Sequence, residues 1–501
     1  MEGSSKKRLC IVGAGISGLV ACKHAAEKGF HPVVFEAGAG IGGVWARTLW
    51  STRLQSTSST FRFTDHPWPP AAAAEPHPDH AQVMGYLRSY ARRFDLLRWV
   101  RFEATVASLE FVGVGEAEMA RWDLWSGNGE AFGDGRGEWR VTVQAADKKE
   151  PECGIPRIPK FPDNGGPTVY NGMTMHSMDF FDLDHAKATE LIQGRNIIVV
   201  GSGKSALDIT AECAKLNGEN QPCTMIYRSK RLILDNVYPG GLDIGYFCYN
   251  RFHELLFRKP GGGFVNNLVP ILLSPMNAYY KRKLPLKKHG ILPNYSCYDA
   301  ISTCSFSIAP NNFIEMVERK SSILKKVKSF RFYHSGIIIN DEGDYLEADL
   351  VIFATGFEGD LKLKNIFSSE RFQDLILNMS NVPVPLYRQC IHPQIPQLAV
   401  IGYGDSLSTL FTSEMMSKWL ACLLKGSFRL PTIEQMQKDV LKWIECTKMY
   451  KTKPLRWTCI EASNIWYNDH LCKDMGCNPK RKHSIFSEWF QPYGPVDYEN
   501  M

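Results

Sequence analysis

Two short apolar runs in this chain each give way to a glycine-spaced turn and then to a stretch with helical spacing. Arg8-Leu9-Cys10-Ile11-Val12 leads into Gly13-Ala14-Gly15-Ile16-Ser17-Gly18, and Leu19-Val20-Ala21-Cys22 continues as a helix. Asn196-Ile197-Ile198-Val199-Val200 leads into Gly201-Ser202-Gly203-Lys204-Ser205-Ala206, with Leu207, Asp208, Ile209 and Ala211 after it. Short apolar runs closed by turn residues predict buried strands. A strand, a glycine turn and a helix open a dinucleotide-binding unit. One such motif is weak evidence. Two of them predict an α/β fold that holds two dinucleotides, and therefore electron transfer between a nicotinamide and a flavin.

The remaining pattern fills in around these units. His31-Pro32-Val33-Val34-Phe35 predicts a second strand, ending in Glu36, and Glu138-Trp139-Arg140-Val141-Thr142-Val143 alternates as a strand does. Leu350-Val351-Ile352-Phe353 predicts a buried strand running into Ala354-Thr355-Gly356-Phe357, and Leu398-Ala399-Val400-Ile401-Gly402 predicts another, ending at Asp405. A helix over roughly Thr412 to Leu424 follows, aiming its N-terminus at the flavin site. Gly113 to Gly137 is rich in Gly and Glu and predicts an exposed hairpin or loop, and the Pro-rich run from Ile155 to Pro162 predicts a linker. A mostly helical, basic tail closes the chain. The expected organisation is two Rossmann-like domains, with an NADP-binding domain over 155–335 inserted in a discontinuous FAD-binding domain formed by 1–154 and 336–501.

The residue types in the two motifs differ in a way that assigns their ligands. Gly13 permits the tight turn, Gly15 lets a pyrophosphate approach, and Gly18 lets the helix pack on its strand. The free N–H groups and partial positive charge of the helix N-terminus suit the phosphates. Glu36 lies about 20 residues past the motif, where an acid hydrogen-bonds a ribose 2′-OH and would repel a 2′-phosphate. The first site is therefore expected to take FAD or NAD. The second motif ends in the permitted variant Ala206, and its next strand, Thr224-Met225-Ile226-Tyr227, ends in Arg228-Ser229-Lys230-Arg231. That basic cluster suits a 2′-phosphate and favours NADPH.

Composition narrows the class. The 501 residues suffice for two or three domains with substantial cores. A net charge of +6 without a long basic stripe does not call for nucleic acid. No apolar run reaches spanning length, since Phe264 to Tyr280 is broken by Asn266, Asn267, Pro270 and Pro275. Too few residues precede the first strand for a signal peptide, so a soluble, cytoplasmic protein is expected. The 14 cysteines are scattered without a Cys-x-x-Cys and are expected to be reduced thiols, with no metal site. The lack of a cysteine pair after the first fingerprint helix argues against a flavin disulfide reductase.

With these motifs in hand, the chain resembles the flavin-containing monooxygenases, and most closely their plant branch. Glu36-Ala37-Gly38-Ala39-Gly40-Ile41-Gly42-Gly43-Val44-Trp45 is similar to the family's second flavin stretch, which implies cofactor contacts from Gly43 and Trp45. Tyr170 to Phe180 resembles its identifying sequence, with Tyr170 where Phe is usual, and His176 there reads as structural. Phe353-Ala354-Thr355-Gly356-Phe357 resembles the inter-domain hinge, implicating Thr355 and Gly356. Asp65-His66-Pro67-Trp68-Pro69 and the tail Glu488 to Gly494 also resemble plant members. Gln55 stands where other members carry an Asn that contacts flavin and NADP, and its amide can make the same bonds with a longer reach. The resemblance implies that NADPH reduces FAD, that a C4a-hydroperoxyflavin forms with O2, and that a nitrogen or sulfur nucleophile of a small metabolite takes the oxygen. A pipecolate-like amine is the implied substrate, with indole-3-pyruvate conversion to auxin as the alternative.

One segment departs from the family pattern. Relatives return to the flavin through an apolar strand ending in a Thr-Gly turn before the Pro-rich linker. Here Gln144-Ala145-Ala146-Asp147-Lys148-Lys149-Glu150-Pro151-Glu152-Cys153 fills that place. A strand of about 5–6 residues is expected to be missing from the FAD domain's sheet. A non-catalytic paralogue or shortened splice form is the reading this gap motivates.

Overall fold

The computed structural model describes residues 7–73, 75–122, 136–145, 156–234, 249–262, 278, 287–340, 343–377, 384–406, 408–452 and 455–501. The chain opens with β1 (Arg8–Val12), α1 (Ile16–Glu27) and β2 (His31–Phe35), then α2 (His80–Arg93) and the short β3 (Val100–Arg101). These strands form a parallel sheet in the order β1-β2-β3. Val12 registers with Phe35, and the Gly13 N–H donates to the Phe35 carbonyl at 2.7 Å. β4 (Ala104–Val112) and β5 (Glu138–Ala145) pair antiparallel, with a bulge between Val106 and Ser108.

A second, larger unit follows. β6 (Met173–His176), β7 (Ile197–Val200), α4 (Lys204–Asn217), β8 (Cys223–Tyr227), β9 (Leu232–Leu234), β10 (Phe306–Ile308) and β11 (Ser322–Lys326) lead to a three-stranded antiparallel meander of β12 (Phe330–Tyr333), β13 (Gly336–Ile339) and β14 (Asp344–Glu347). Here α4 is preceded in the chain by α3 (Glu116–Trp122). β15 (Leu350–Phe353) then enters a five-stranded parallel sheet ordered β11-β8-β7-β15-β6. The sheet of this unit therefore takes a strand from beyond residue 335. All four residues of both β7 and β15 are buried, as expected of internal parallel strands covered on both faces.

β1 differs from its counterpart β7. Among the described residues it pairs on one side only, and Val12 is 53% exposed where Val200 is buried. Of the stretch from Gln144 to Cys153, read as replacing a strand, Gln144 and Ala145 end β5, and 146–153 lie outside the described residues.

Three expectations are corrected. Leu398 to Gly402 forms no strand. Leu398 to Ile401 are half-buried and Gly402 is exposed; the segment makes one bridge, Ala399 to Ile391, and its Val400 N–H donates to the Cys390 carbonyl at 2.7 Å. With β1 at the edge, no described strand lies beside it to extend a ladder. Of the glycine-rich stretch from Gly113 to Gly137, residues 123–135 lie outside the described residues; the part before them holds the helix α3, and Val114 and Met119 are buried in a core with Leu109, Phe111 and Phe372. Its glycines mask two apolar anchors. Finally, Cys304 and Cys459 form a disulfide, although ten other described cysteines form none.

The C-terminal part returns to the first sheet through α5 (Thr409–Leu424), longer at its start than the sequence predicts. Every residue from Leu410 to Ala421 is buried. Leu410, Phe411, Met415 and Met416 each contribute about 1.5–3 kcal/mol by that burial. Polar groups on α5 are matched: the Thr64 N–H and hydroxyl both donate to Glu414 at 2.7 Å, and Lys418 donates to Thr64 Oγ1 at 2.8 Å. Burial raises the Glu414 pKa, but hydrogen bonding from His24 and Thr64 and the Lys418 charge outweigh it, leaving the carboxyl below its ordinary range.

Candidate active site

The first glycine turn is built by close backbone approach. A Cβ on Gly18 would overlap the Gly13 carbonyl oxygen, so α1 sits against the turn only because that position is glycine. Ile16 begins α1 and Gly15 caps it in extended conformation. A Cβ on Gly15 would stand 3.4 Å from the Gly43 Cα, so the two glycine loops face each other across a cradle that a side chain would fill. The Gly42 N–H donates to the Ala14 carbonyl at 3.1 Å, holding the loops in place. Trp45 lies in the short helical turn Gly43–Arg47, its ring centroid 6.1 Å from that of Phe61. Ser17 Oγ lies 3.1 Å from Ser413 Oγ and ties α1 to α5.

Glu36 closes the same loop. Its carboxylate accepts from the Ala14 N–H at 2.5 Å and from the Gly38 N–H at 2.8 Å. Each carboxylate oxygen keeps a further lone pair, so the group can also take a hydroxyl.

The second turn packs under the hinge segment. A Cβ on Gly201 would overlap the Ala354 carbonyl oxygen, while one on Gly203 would meet open space. Ala206 is buried; Ser202, Lys204 and Ser205 are half-buried at the helix start. Lys204 Nζ donates to Asp208 Oδ1 at 2.5 Å, and Thr52 Oγ1 donates to Asp208 Oδ2 at 3.0 Å. Burial raises the Asp208 pKa, against the pull of Lys204. Asp208 thus joins α4 to the segment that carries Gln55.

Arg228 lies at the exit of β8 and lines a cavity of about 320 Å³ with Ser229, Lys230, Lys326, Asn294 and Lys451. Three lysines and an arginine around one cavity make a site for a multiply charged anion such as a phosphate monoester. Lys326 arrives because β11 neighbours β8, and Lys451 comes from the C-terminal part. Neither was expected from the sequence, because sheet order and tertiary return bring them there. Arg231 instead turns inward, with Nη2 donating to the carbonyls of Cys304 at 2.6 Å and Phe306 at 3.1 Å.

The remaining expected residues are each held by hydrogen bonds to the protein. Gln55 Oε1 accepts the Ile308 N–H at 3.0 Å, which leaves its NH2 group to point elsewhere. Thr355 Oγ1 donates to the Arg157 carbonyl, and the Arg157 N–H donates to the Gly356 carbonyl at 2.8 Å, so the hinge is strapped to the linker. Asp405 is held by the segment 456–460: Thr458 Oγ1 donates to Oδ2 at 2.9 Å, and Arg456 lies 3.5 Å from the same oxygen.

His176 is structural in its bonding. Nδ1 accepts the Met178 N–H at 3.3 Å and Nε2 faces the Gly356 carbonyl at 3.2 Å, which assigns the Nε2–H tautomer. Burial holds its pKa below the ordinary value. Tyr170 is buried and donates its hydroxyl to the Ala348 carbonyl at 2.8 Å. No group of three or more metal-ligating side chains occurs among the described residues, and no helix among them is long and apolar enough to cross a membrane.

Comparison with known proteins places this arrangement. The model of the family described as flavin-binding monooxygenase-like matches residues 6–489. A probable flavin-containing monooxygenase 1 of Arabidopsis thaliana is 37% identical, covering 99% of this chain and 96% of that one. A putative flavin-containing monooxygenase 2 of the same plant is 33% identical, covering 95% of this chain and 98% of that one. Among solved structures, an oxidized steroid monooxygenase bound to NADP superposes with a TM-score of 0.63 at 17% identity, covering 94% of this chain and 98% of that one. That likeness is one of fold, in two Rossmann-type units. The alignment with the first relative runs over 522 positions against 501 residues here, so some of its positions have no counterpart in this chain.

Proposed function

The chain belongs to the flavin-binding monooxygenase-like family, and on that premise we propose that it oxygenates a nitrogen or sulfur of a small metabolite, with a pipecolate-like amine as the first substrate. It is a flavin-dependent monooxygenase that uses FAD, NADPH and O2. When bound, the flavin supplies hydride acceptance and O2 activation, and the protein supplies binding, orientation and exclusion of water.

The contrast between the two turns is the observation that carries the assignment of the cofactors. Gly13, Ala14, Gly15, Ile16, Ser17 and Gly18, with Gly43 and Trp45, hold FAD at the glycine cradle, and Glu36 takes a ribose hydroxyl. Gly201, Ser202, Gly203, Lys204, Ser205 and Ala206 hold the NADPH pyrophosphate at the start of α4, and Arg228 takes the 2′-phosphate in the cationic cavity. Gln55 uses its NH2 group to orient the cofactors where the two units meet. Thr355, Gly356 and Asp405 complete the walls. With the chemistry carried by the flavin, the chain needs no acid–base pair, which accords with a neutral, backbone-bonded His176.

The test is direct. Purified protein is expected to show a flavin spectrum and to consume O2 with NADPH in preference to NADH. Labelled O2 is expected to enter pipecolate rather than indole-3-pyruvate. Label entering only indole-3-pyruvate would replace the substrate assignment, and a colourless protein that cannot be loaded with FAD would overturn the cofactor assignment.

A further inference from the structure

We propose that Cys304 and Cys459 form a redox-active pair whose disulfide sets how firmly Gln55 and Asp405 are held at the cofactors. The roles of those two side chains rest on the reading given above. The pair joins the inserted unit to the C-terminal part across 155 residues, with its Cα atoms 5.7 Å apart, inside the usual disulfide range.

Both flanks of the disulfide lead to a cofactor-facing residue. On one side, the Asp405 N–H donates to the Thr458 carbonyl at 2.8 Å, and the Ile460 N–H donates to the Asp405 carbonyl at 3.0 Å. Asp405 is thus threaded through the residues on either side of Cys459. Cys304 Sγ itself lies 3.5 Å from the Asp405 carbonyl oxygen. On the other side, β10 starts two residues after Cys304, and its last residue, Ile308, donates to Gln55. Cys304 has a φ of 49°, a left-handed conformation that a non-glycine residue holds only when its surroundings require it. The bond from Arg231 to its carbonyl and the disulfide supply that requirement.

The two cysteines are unequally exposed. Cys459 is buried and Cys304 is half-buried. A dithiol reductant attacks Cys304 Sγ, the S–S bond breaks, and Cys459 leaves as a thiolate that takes a proton. The reductant's second thiol then displaces Cys304, so that two electrons and two protons pass to the protein and the reductant becomes a disulfide. A peroxide reverses the change, forming the S–S bond and releasing two waters.

Full-length protein is alkylated with N-ethylmaleimide before and after treatment with dithiothreitol, and the labelled cysteines are read by peptide mass. Cys304 and Cys459 are expected to label only after reduction, and peroxide is expected to restore protection. In the same samples, reduction is expected to weaken NADP+ binding and flavin retention roughly fivefold or more. The Cys304→Ser/Cys459→Ser variant is expected to match the reduced protein and to ignore the reductant. Labelling of both cysteines in peroxide-treated protein would overturn the pair. A pair that forms and breaks with no change in either affinity would overturn its role, and reduced wild type supplies that result even if the variant fails to fold. Failure of flavin to bind in either state, with the labelling pattern intact, would instead overturn the cofactor reading and the role that depends on it.

Discussion

The side-chain carbonyl of Gln55 accepts the backbone N–H of Ile308 at 3.0 Å, joining the first nucleotide unit to the inserted one across 253 positions. Its oxygen is thereby committed to the protein, and its NH2 is left for the proposed cofactor contact. Gln55→Glu retains an acceptor and loses the donor; Gln55→Leu loses both. The Glu variant is expected to keep the wild-type melting temperature and lose turnover with NADPH. The Leu variant leaves a backbone N–H unsatisfied, at a cost of about 1–3 kcal/mol, and is expected to melt lower as well. Thermal melts and NADPH-dependent O2 uptake separate the two, and equal melting of both variants would mean that the bond holds nothing.

Gly15→Ala tests the glycine cradle. Its Cβ would stand 3.4 Å from the Gly43 Cα, ordinary contact, so the fold is expected to survive. On the proposed reading, the methyl stands where the pyrophosphate would approach the turn. The variant is expected to purify folded and colourless. Full flavin content by absorbance would remove the first turn from the FAD site.

Arg228→Ala tests the cationic cavity. A charge-assisted contact is worth about 1.5–3 kcal/mol, but Lys230, Lys326 and Lys451 share the cavity and compensate in part. NADPH affinity is therefore expected to fall about tenfold, with NADH barely affected. Lys326→Ala is expected to act in the same direction. Equal loss for both nucleotides would show that Arg228 does not read the 2′-phosphate.

Burial pushes the pKa of His392 down to about 4, and its Nδ1 accepts the Gln394 N–H at 3.1 Å. The folded state thus binds a proton less readily than the unfolded chain, whose histidine titrates near 6.5. Stability from this group is complete above pH 6.5 and is lost as pH falls from there toward about 4, by roughly 3 kcal/mol at most. His66, His176 and His470 shift in the same direction. His392→Asn keeps an acceptor at the Nδ1 position and removes the titration. Its melting temperature is expected to decline less steeply over that range, and a slope identical to wild type would exclude His392 as a source of acid sensitivity.

The one-sided pairing of β1 among the described residues and the charged sequence before Pro156 predict a gain of function by insertion. An apolar strand with a Thr-Gly turn, placed between Val143 and Pro156, is expected to raise FAD occupancy. It is also expected to raise the melting temperature by roughly 2–4 °C for each kcal/mol gained. Measuring both in the natural and lengthened chains decides the matter. Equal occupancy and equal melting would show that the first sheet is complete without it.

What could be read from the chain was local. The fingerprints, β7 and β15 are contiguous apolar runs with punctuation, and their form survives in the fold. Leu398 to Gly402 has the same composition and forms no strand, since strand formation requires a neighbour and composition does not report one. The helix around Met119 was hidden by the glycines at either end of its segment. Lys326 and Lys451 reach the cavity of Arg228 through strand order and chain return, which leave no mark on nearby residues. The pairing of Cys304 with Cys459 spans 155 residues and has the same source.

The union of Thr64 with Glu414 carries a consequence for how the chain is made. Thr64 emerges from the ribosome 350 residues ahead of its partner. At about 5–20 residues per second, that is a delay of roughly 20–70 s. During it, Leu19, Val20 and Tyr86 lack the α5 face that closes their core. The inserted unit has all five of its sheet strands by Phe353 and can fold within that interval. The first unit therefore matures last although it is born first, and the nascent chain is most in need of chaperone cover before residue 424 has emerged.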